Sequence, residues 1–309
     1  MTIKVGFVSI FYPLFMGRYM LEALLRRADV EVWTAGPFTG RWIPWAGGMN
    51  LPQRYVYTPD LALPAGNPAT LDWGVVEAQA PWEPDLWINV SSTLRTIGRP
   101  KSGKYAVIAA DPHVLNYDRD RAQADLFFNM QRPYMKSGDR YLPYGYDPVW
   151  HAQTTVPMRE RNIDAALLGL PYPNRTRLTD ALKGRGHTVI YSIGQCYEDA
   201  REIYHRSLVG LNWSSLQDTT ARCFEIMAFG IAPVLNRVPD LMAMFKDGEH
   251  FLGFDTLEQA IKQVERVLHD PALAEQIGLN ARRAVEPHSW DARIQQVLSE
   301  AELVAAETA

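Results

Sequence analysis

The sequence predicts an α/β protein made of two doubly wound parallel-sheet domains facing across a cleft. Three observations carry this expectation. Short apolar runs alternate with helical patterns along most of the 309 residues, as in parallel sheets joined by right-handed crossovers. The alternation breaks at Tyr141-Leu-Pro-Tyr-Gly-Tyr-Asp-Pro148 and restarts at Ile163. The chain is also long enough to bury two separate cores.

In the first half, Ile3–Ile10 reads as a short strand. A Pro/Gly turn follows, then a helix near Arg18–Arg27 with Met20, Leu21, Leu24 and Leu25 as its apolar stripe. Val30–Thr34 is the next strand. Asp85–Val90 and Tyr105–Ala110 are continuous apolar runs, suited to central strands buried on both faces. Residues 36–84, rich in Pro, Gly and Trp, lack periodicity and read as an irregular insertion. In the second half Ile163–Leu168 is a strand, Gly169–Asn174 a turn and Arg175–Lys183 a helix. His187–Ser192, Leu208–Asn212 and Ala232–Leu235 continue the sheet, with a helix through Ala200–Tyr204. Leu257–Leu268 and Leu273–Val285 are amphipathic helices separated by Asp270-Pro271. A last helix carries Trp290, Ile294, Val297 and Leu298 after a Pro-His-Ser sequence able to cap it. The expected division is 1–150, a linker at 151–162, 163–286, and a closing helix at 287–309.

The formal charge of -4, with no basic run longer than two residues, argues against a protein that mainly grips nucleic-acid backbones. Cys196 and Cys223 are the only cysteines and read as buried free thiols. Residues 1–16 read as a first strand and not as a signal peptide. No apolar stretch approaches the roughly 20 residues that cross a bilayer. A cytoplasmic protein is expected, with peripheral membrane contact left open. No Gly-x-Gly-x-x-Gly follows the first strand of either half, and no Walker-type Gly-Lys-Ser/Thr occurs. Both absences speak against NAD-dependent redox and P-loop hydrolysis.

The most informative stretch runs from Gln217 to Leu235. It reads as a loop, a helix carrying Glu225, a Gly230 break and a buried strand. With Asp218 or Thr219 as N-cap, the amides of Thr219 and Thr220 offer a site for a diphosphate. Glu225 follows five or six residues on, about 8–9 Å along a helix, close to the span from phosphates to ribose hydroxyls. The alternative is an exposed glutamate, or one paired with Arg222 three residues earlier. Gly169-Leu-Pro-Tyr-Pro-Asn174-Arg175 follows the first strand of the second half as a rigid turn. It would set Asn174 and Arg175 at the cleft edge, where a guanidinium suits phosphate; a solvated arginine is the alternative. In the first half Asp111-Pro-His113 ends a strong strand, where a site or a simple cap would both fit. Trp42 and Trp45 could line a platform or pack the insertion, and Gly17-Arg18 could bring backbone close to a transferred group. No spacing of His, Asp or Glu suggests a metal site.

Arg222-Cys-Phe-Glu225-Ile-Met-Ala-Phe-Gly230-Ile-Ala-Pro-Val234 resembles the donor-binding signature of family 4-type (group 1) glycosyltransferases with the GT-B fold. It is most similar to the spore-maturation-protein-like branch, with its Arg-x-Phe-Glu core. Tyr141–Pro148 resembles the interdomain segment of those enzymes, and His288-Ser-Trp290 the start of their closing helix. The resemblance implies two Rossmann-like domains, with the last helix packed back on the first. It implies that Glu225 binds ribose, that Thr219 and Thr220 amides with Arg175 hold the diphosphate, and that Asp111 or His113 lies by the sugar or acceptor. Gly17, Gly169, Asn174 and Gln217 complete the expected site. The donor would be a UDP-, GDP- or ADP-sugar, UDP favoured, with no tightly bound cofactor, no essential metal and retained configuration. One departure stands out: the family places a second glutamate eight positions before the ribose-binding one, and here that residue is Gln217. An epimerase or hydrolase on the same architecture, or a nucleotide-sugar binding module, remain the competing expectations. The acceptor is open among glycan, lipid, metabolite, protein and modified nucleic acid, as is the choice of monomer or homodimer.

Overall fold

The computed structural model describes residues 2–12, 14–43, 48–66, 69–91, 94–214 and 216–305. The chain divides into two compact units, Met1–Pro143 with Trp290–Ala309, and Tyr144–Ser289.

The first unit opens with β1 (Ile3–Val8), α1 (Gly17–Leu25), β2 (Val30–Pro37), β3 (Trp42–Ile43) and β4 (Met49–Asn50). β5 (Leu61–Leu63), β6 (Ala69–Asp72), α2 (Trp73–Gln79), β7 (Leu86–Ser91) and β8 (Leu94–Ile97) follow. β9 (Lys104–Ala109), α3 (Asp118–Gln123), β10 (Leu126–Asn129) and β11 (Arg140–Tyr141) come last before the second unit. Seven strands form one sheet in the order β11-β10-β9-β7-β1-β2-β5, and every pairing is parallel. The apolar runs expected to be central are β7 and β9, and β7 is buried along its whole length. Trp87 on β7 meets Trp73 edge-on at 5.2 Å, and Trp73 meets Tyr105 at 5.1 Å. Such ring pairs fix the core geometry beyond simple burial. The expected stripe on α1 holds for Met20, Leu21 and Leu24, whereas Leu25 is 48% exposed.

The described residues within 36–84 hold more regular structure than the sequence suggests. β3 and β4 make an antiparallel ribbon, β5 joins the main sheet, and β6 pairs with β8. Asp72 caps α2 by accepting from the Gly74 amide at 2.9 Å. Pairings of two to four residues leave too short a pattern to read. Trp42 is 45% exposed, and Trp45 lies outside the described residues.

The second unit contains β12 (Ile163–Leu168), α4 (Pro173–Gly184), β13 (Val189–Ser192), α5 (Tyr197–His205) and β14 (Ser207–Asn212). α6 (Ala221–Phe229), β15 (Ala232–Asn236), α7 (Pro239–Met244) and β16 (Leu252–Phe254) continue it, and α8 (Leu257–His269) and α9 (Pro271–Val285) close it. Its five strands run β13-β12-β14-β15-β16, all parallel. Ala165, Leu167, Val209, Leu211, Val234 and Phe254 form the sheet side of the core, and Ala260, Ile261, Val264 and Val267 form the stripe of α8 against it. Asp270 ends α8 and caps α9 through the Leu273 amide.

The boundary between units falls at Pro143, earlier than the expected residue 150, and 151–162 is not a free linker. The Asp147 carboxylate accepts from the amides of Val149 and Trp150, and the His151 amide returns to the Asp147 carbonyl. Thr154 then bonds the Phe229 carbonyl and, through its hydroxyl, that of His205. These bonds fold 147–154 into the second unit. The final helix, α10 (Trp290–Glu300), completes the first unit. Its Trp290, Ile294, Val297 and Leu298 are buried, and Asp291 pairs with Arg26 at 2.9 Å beyond the end of α1. Among the described residues no helix is long and apolar enough to cross a membrane.

Gly230 ends α6 in the left-handed conformation at φ +69°, which glycine alone adopts freely. A Cβ added to Gly278 of α9 would lie 2.5 Å from the Gly230 carbonyl oxygen, whereas one on Gly184 would meet nothing within 4 Å. Gly278→Ala is therefore expected to cost about 1–3 kcal/mol by overpacking. Gly184→Ala should add about 0.5–1 kcal/mol through helix propensity. Denaturant unfolding of both variants checks the two signs.

Candidate functional site

In the second unit the chain order reverses between β12 and β14. In open parallel sheets, ligands bind outside the carboxyl ends of the strands at such a switch point. The turn after β12, the end of β14 and the start of α6 meet there.

Arg175, in the first turn of α4, joins these pieces. Its Nε donates to the Trp213 carbonyl at 2.8 Å, Nη1 to the Leu170 carbonyl at 3.2 Å and Nη2 to Asn212 Oδ1 at 3.0 Å. The guanidinium carbon lies 4.9 Å from the Tyr172 ring centroid. Gly169 leaves room for it, since a Cβ there would stand 3.0 Å from Nη1. Arg175 is 7% exposed, and among the described residues it forms no ion pair. Burial, and then the like charge of Arg222, push its pKa below the ordinary guanidinium value. A charge buried among neutral acceptors is costly, by an amount on the order of several kcal/mol, until an anion compensates it. The solvated arginine allowed by the sequence is therefore not what forms.

The N-cap of α6 is Thr220, later than the Asp218 or Thr219 expected. Asp218 instead accepts from the Leu216 amide at 3.0 Å, which shapes the turn before the helix. Thr219 is buried and Thr220 half-buried, and the first turn of α6 carries no acidic residue. Asn212 Nδ2 and Thr220 Oγ1 both reach Cys223 Sγ, at 3.7 and 3.9 Å, so the Arg175 cluster extends to the helix start. Burial pushes the Cys223 thiol up to about 11.

Glu225 is 7% exposed and not the solvated glutamate that the sequence allowed. The pairing with Arg222 does form, with Nη1 2.7 Å from Oε2. Its other oxygen, Oε1, lies 4.0 Å from Nε2 of His151. Sequence reading missed His151, which falls in the supposed linker. The signal for it was the Asp147-to-His151 spacing after a Pro/Gly turn. Asn212 was read only as a strand end, and a buried polar residue closing an apolar strand is its mark. Asn174 and Gln217 are exposed and make no side-chain hydrogen bond to this cluster among the described residues.

The other candidates sit in the first unit. Asp111 and His113 follow β9 and are half-buried. The Asp111 carbonyl accepts from the amides of Val114 and Leu115, and its amide donates to the Tyr117 hydroxyl at 3.3 Å. His113 faces Tyr134 with ring centroids 6.1 Å apart. A hollow of about 400 Å³ nearby is lined by Pro112, Tyr117, Arg121, Tyr134 and Lys136, so the two candidates flank it without lining it. Gly17 begins α1, and a Cβ there would lie 2.4 Å from Ser9 Oγ, so it serves close helix–strand packing. Among the described residues no three His, Cys, Asp or Glu side chains gather in a way that could hold a metal ion.

A family profile described as glycosyl transferase-like matches residues 154–299. No curated protein matches the chain significantly. Solved structures match nearly end to end. A sucrose-phosphate synthase from Thermosynechococcus elongatus is 15% identical with a TM-score of 0.62, over 97% of this chain and 98% of its own. HepE of Anabaena, in complex with UDP, is 10% identical with a TM-score of 0.64, over 98% and 100%. An alpha-glucosyltransferase in complex with UDP and a 13-mer DNA is 11% identical with a TM-score of 0.62, over 97% and 99%. The chain has the GT-B fold. The profile match covers most of the GT-B unit that carries Arg175, Arg222 and Glu225.

A thiol with a pKa of about 11 is roughly one part in a thousand thiolate at pH 8. Cys196 is buried as well. Iodoacetamide should therefore label neither cysteine in the native protein, and labelling in increasing urea should follow global unfolding. Mass spectrometry of the digested protein reads the outcome.

Proposed function

We propose that this chain is a glycosyltransferase that moves a sugar from a nucleotide-diphosphate-sugar to an acceptor hydroxyl. A UDP-sugar is the preferred donor, the configuration is retained, and no metal is essential. The observation that carries this reading is Arg175, a buried guanidinium that donates to neutral acceptors and, among the described residues, forms no ion pair, at the switch point of a parallel sheet. A diphosphate supplies the missing charge. The amides of Thr219 and Thr220 add dipolar stabilisation at the start of α6, and Gly169 keeps the approach open. Glu225 accepts from the ribose hydroxyls, because Arg222 uses only part of the lone-pair capacity of its carboxylate. UDP in the HepE and alpha-glucosyltransferase structures supports the choice of base.

In the reaction the acceptor oxygen bonds to the anomeric carbon as the bond from that carbon to the diphosphate oxygen breaks. The acceptor proton passes to the departing diphosphate, whose growing charge Arg175 and the helix amides stabilise. Gln217 stands where the related signature has a glutamate. Its amide donates and accepts but carries no charge beside an oxocarbenium-like centre. Asn174, exposed in the first turn of α4, serves the donor side as a polar contact. Asp111 and His113 serve the acceptor, and either is the base if the configuration inverts.

Arg175→Gln removes one charge-assisted contact, worth about 1.5–3 kcal/mol. UDP affinity should fall about 10- to 100-fold, while uridine affinity stays unchanged in calorimetric titration. Equal losses for both ligands would contradict the diphosphate role. A mass-spectrometric screen of nucleotide-sugars against cell extracts should show a sugar-sized mass gain on an acceptor. Donor consumed without an acceptor product would point to a hydrolase or an epimerase instead.

A further inference from the structure

Glu225 is bracketed by two basic side chains. Arg222, from its own helix, reaches Oε2 at 2.7 Å. His151, four residues beyond Asp147, places Nε2 4.0 Å from Oε1. His151 is 2% exposed, and its ring meets Phe229 edge-on, with centroids 5.5 Å apart and planes at 90°. Tyr204 and His205 of α5 lie against the same phenyl ring at 5.1 and 5.6 Å. His151 Nδ1 accepts from the Asp147 amide at 2.8 Å. A ring nitrogen that accepts bears its lone pair, so the proton of the neutral ring sits on Nε2. That is the nitrogen nearer Glu225. The separation is too long for a hydrogen bond, so the ring acts on the carboxylate through polarity and shape.

We propose that His151 is a positioning residue for Glu225, its locked tautomer presenting an N–H edge to Oε1 and holding the carboxylate turned toward a ribose diol. This rests on the ribose reading of Glu225 given above. With the opposite tautomer, a lone pair would face a carboxylate oxygen and repel it. Arg222 fixes one oxygen and His151 orients the other, so the carboxylate plane has two restraints from different segments. The charged and titratable groups around the ring are Asp147 from its own segment, Glu225 and Arg222 from α6, and Tyr204 and His205 from α5. A second proton must enter at Nδ1, where the ring now accepts, and would break the bond to the Asp147 amide. Burial holds the His151 pKa below the ordinary imidazole value, so the neutral ring persists until the solution is clearly acidic.

The test is calorimetric titration of the full chain with UDP, 2′,3′-dideoxy-UDP and inorganic pyrophosphate. In the unaltered protein UDP should bind on the order of ten-fold or more tighter than the dideoxy analogue, as expected for hydrogen bonds to a charged group. In His151→Ala that ratio should drop below about three, with pyrophosphate affinity unchanged. His151→Gln keeps an N–H donor near the Nε2 position and should restore most of the ratio. From about pH 7.5 down through the ordinary imidazole range the ratio should hold in the unaltered protein and decline only in more acidic solution, because burial delays protonation of His151. An unchanged ratio in His151→Ala overturns the proposal, and so does parallel loss of pyrophosphate binding in both variants, which marks a purely structural role. Glu225→Ala separates the two readings. If the ratio survives in that variant, the ribose role of Glu225 fails; if it is lost there but kept in His151→Ala, only the role of His151 fails.

Discussion

The second unit is organised around one buried cation. Arg175 spends its guanidinium on two backbone carbonyls and one amide oxygen from two different strand ends. The turn after β12 and the end of β14 are thereby held at hydrogen-bond range, where a doubly wound sheet would otherwise open a crevice. Gly169 has no Cβ because that atom would press on Nη1. Asn212 is buried because the cation needs its oxygen. Nearby, the second cation, Arg222, is matched by Glu225, and Asp218 acts on Arg175 through its charge without forming an ion pair with it. Each of the three Arg175 nitrogens donates to a protein acceptor, which fixes the plane of the guanidinium.

The first unit treats its carboxyl edge differently. There the polar groups are largely used on the protein itself. The Tyr117 hydroxyl bonds the Ser91 carbonyl, and Arg121 holds Asp139 through two nitrogens, with Asn129 on the same carboxylate. These bonds brace the loops after β7, β9 and β10. Asp111 contributes its backbone to that bracing.

Much of the architecture was legible because its signals are periodic. β1, β7, β9, β12, β14 and β15 are apolar runs of five or six residues, and the stripes of α8 and α10 repeat at helical spacing. The α6 motif was legible because its parts are adjacent: a loop, a carboxylate and a glycine in sequence. Features assembled across sequence distance were not. The Asp147-to-His151 spacing marked a local turn, but not that His151 would be buried against Phe229. Leu126–Asn129 and Leu252–Phe254 are strands too short to stand out alone. The Arg175 environment was half visible. Its position in the first turn could be read, but its burial depends on Asn212 and Trp213, which lie 37 and 38 residues away.

The first unit is discontinuous, since α10 returns to it after the whole second unit has intervened. Trp290, Ile294 and Val297 are fully buried there. During synthesis from the N-terminus, β1 to β11 leave the ribosome without the helix that covers α1. The second unit is one unbroken stretch and has all its parts before that helix appears. The half of the chain made first is thus the half finished last, because non-local contacts form only once both partners exist. Until then the apolar surface awaiting α10 is an exposed patch, open to chaperones or to a second nascent chain.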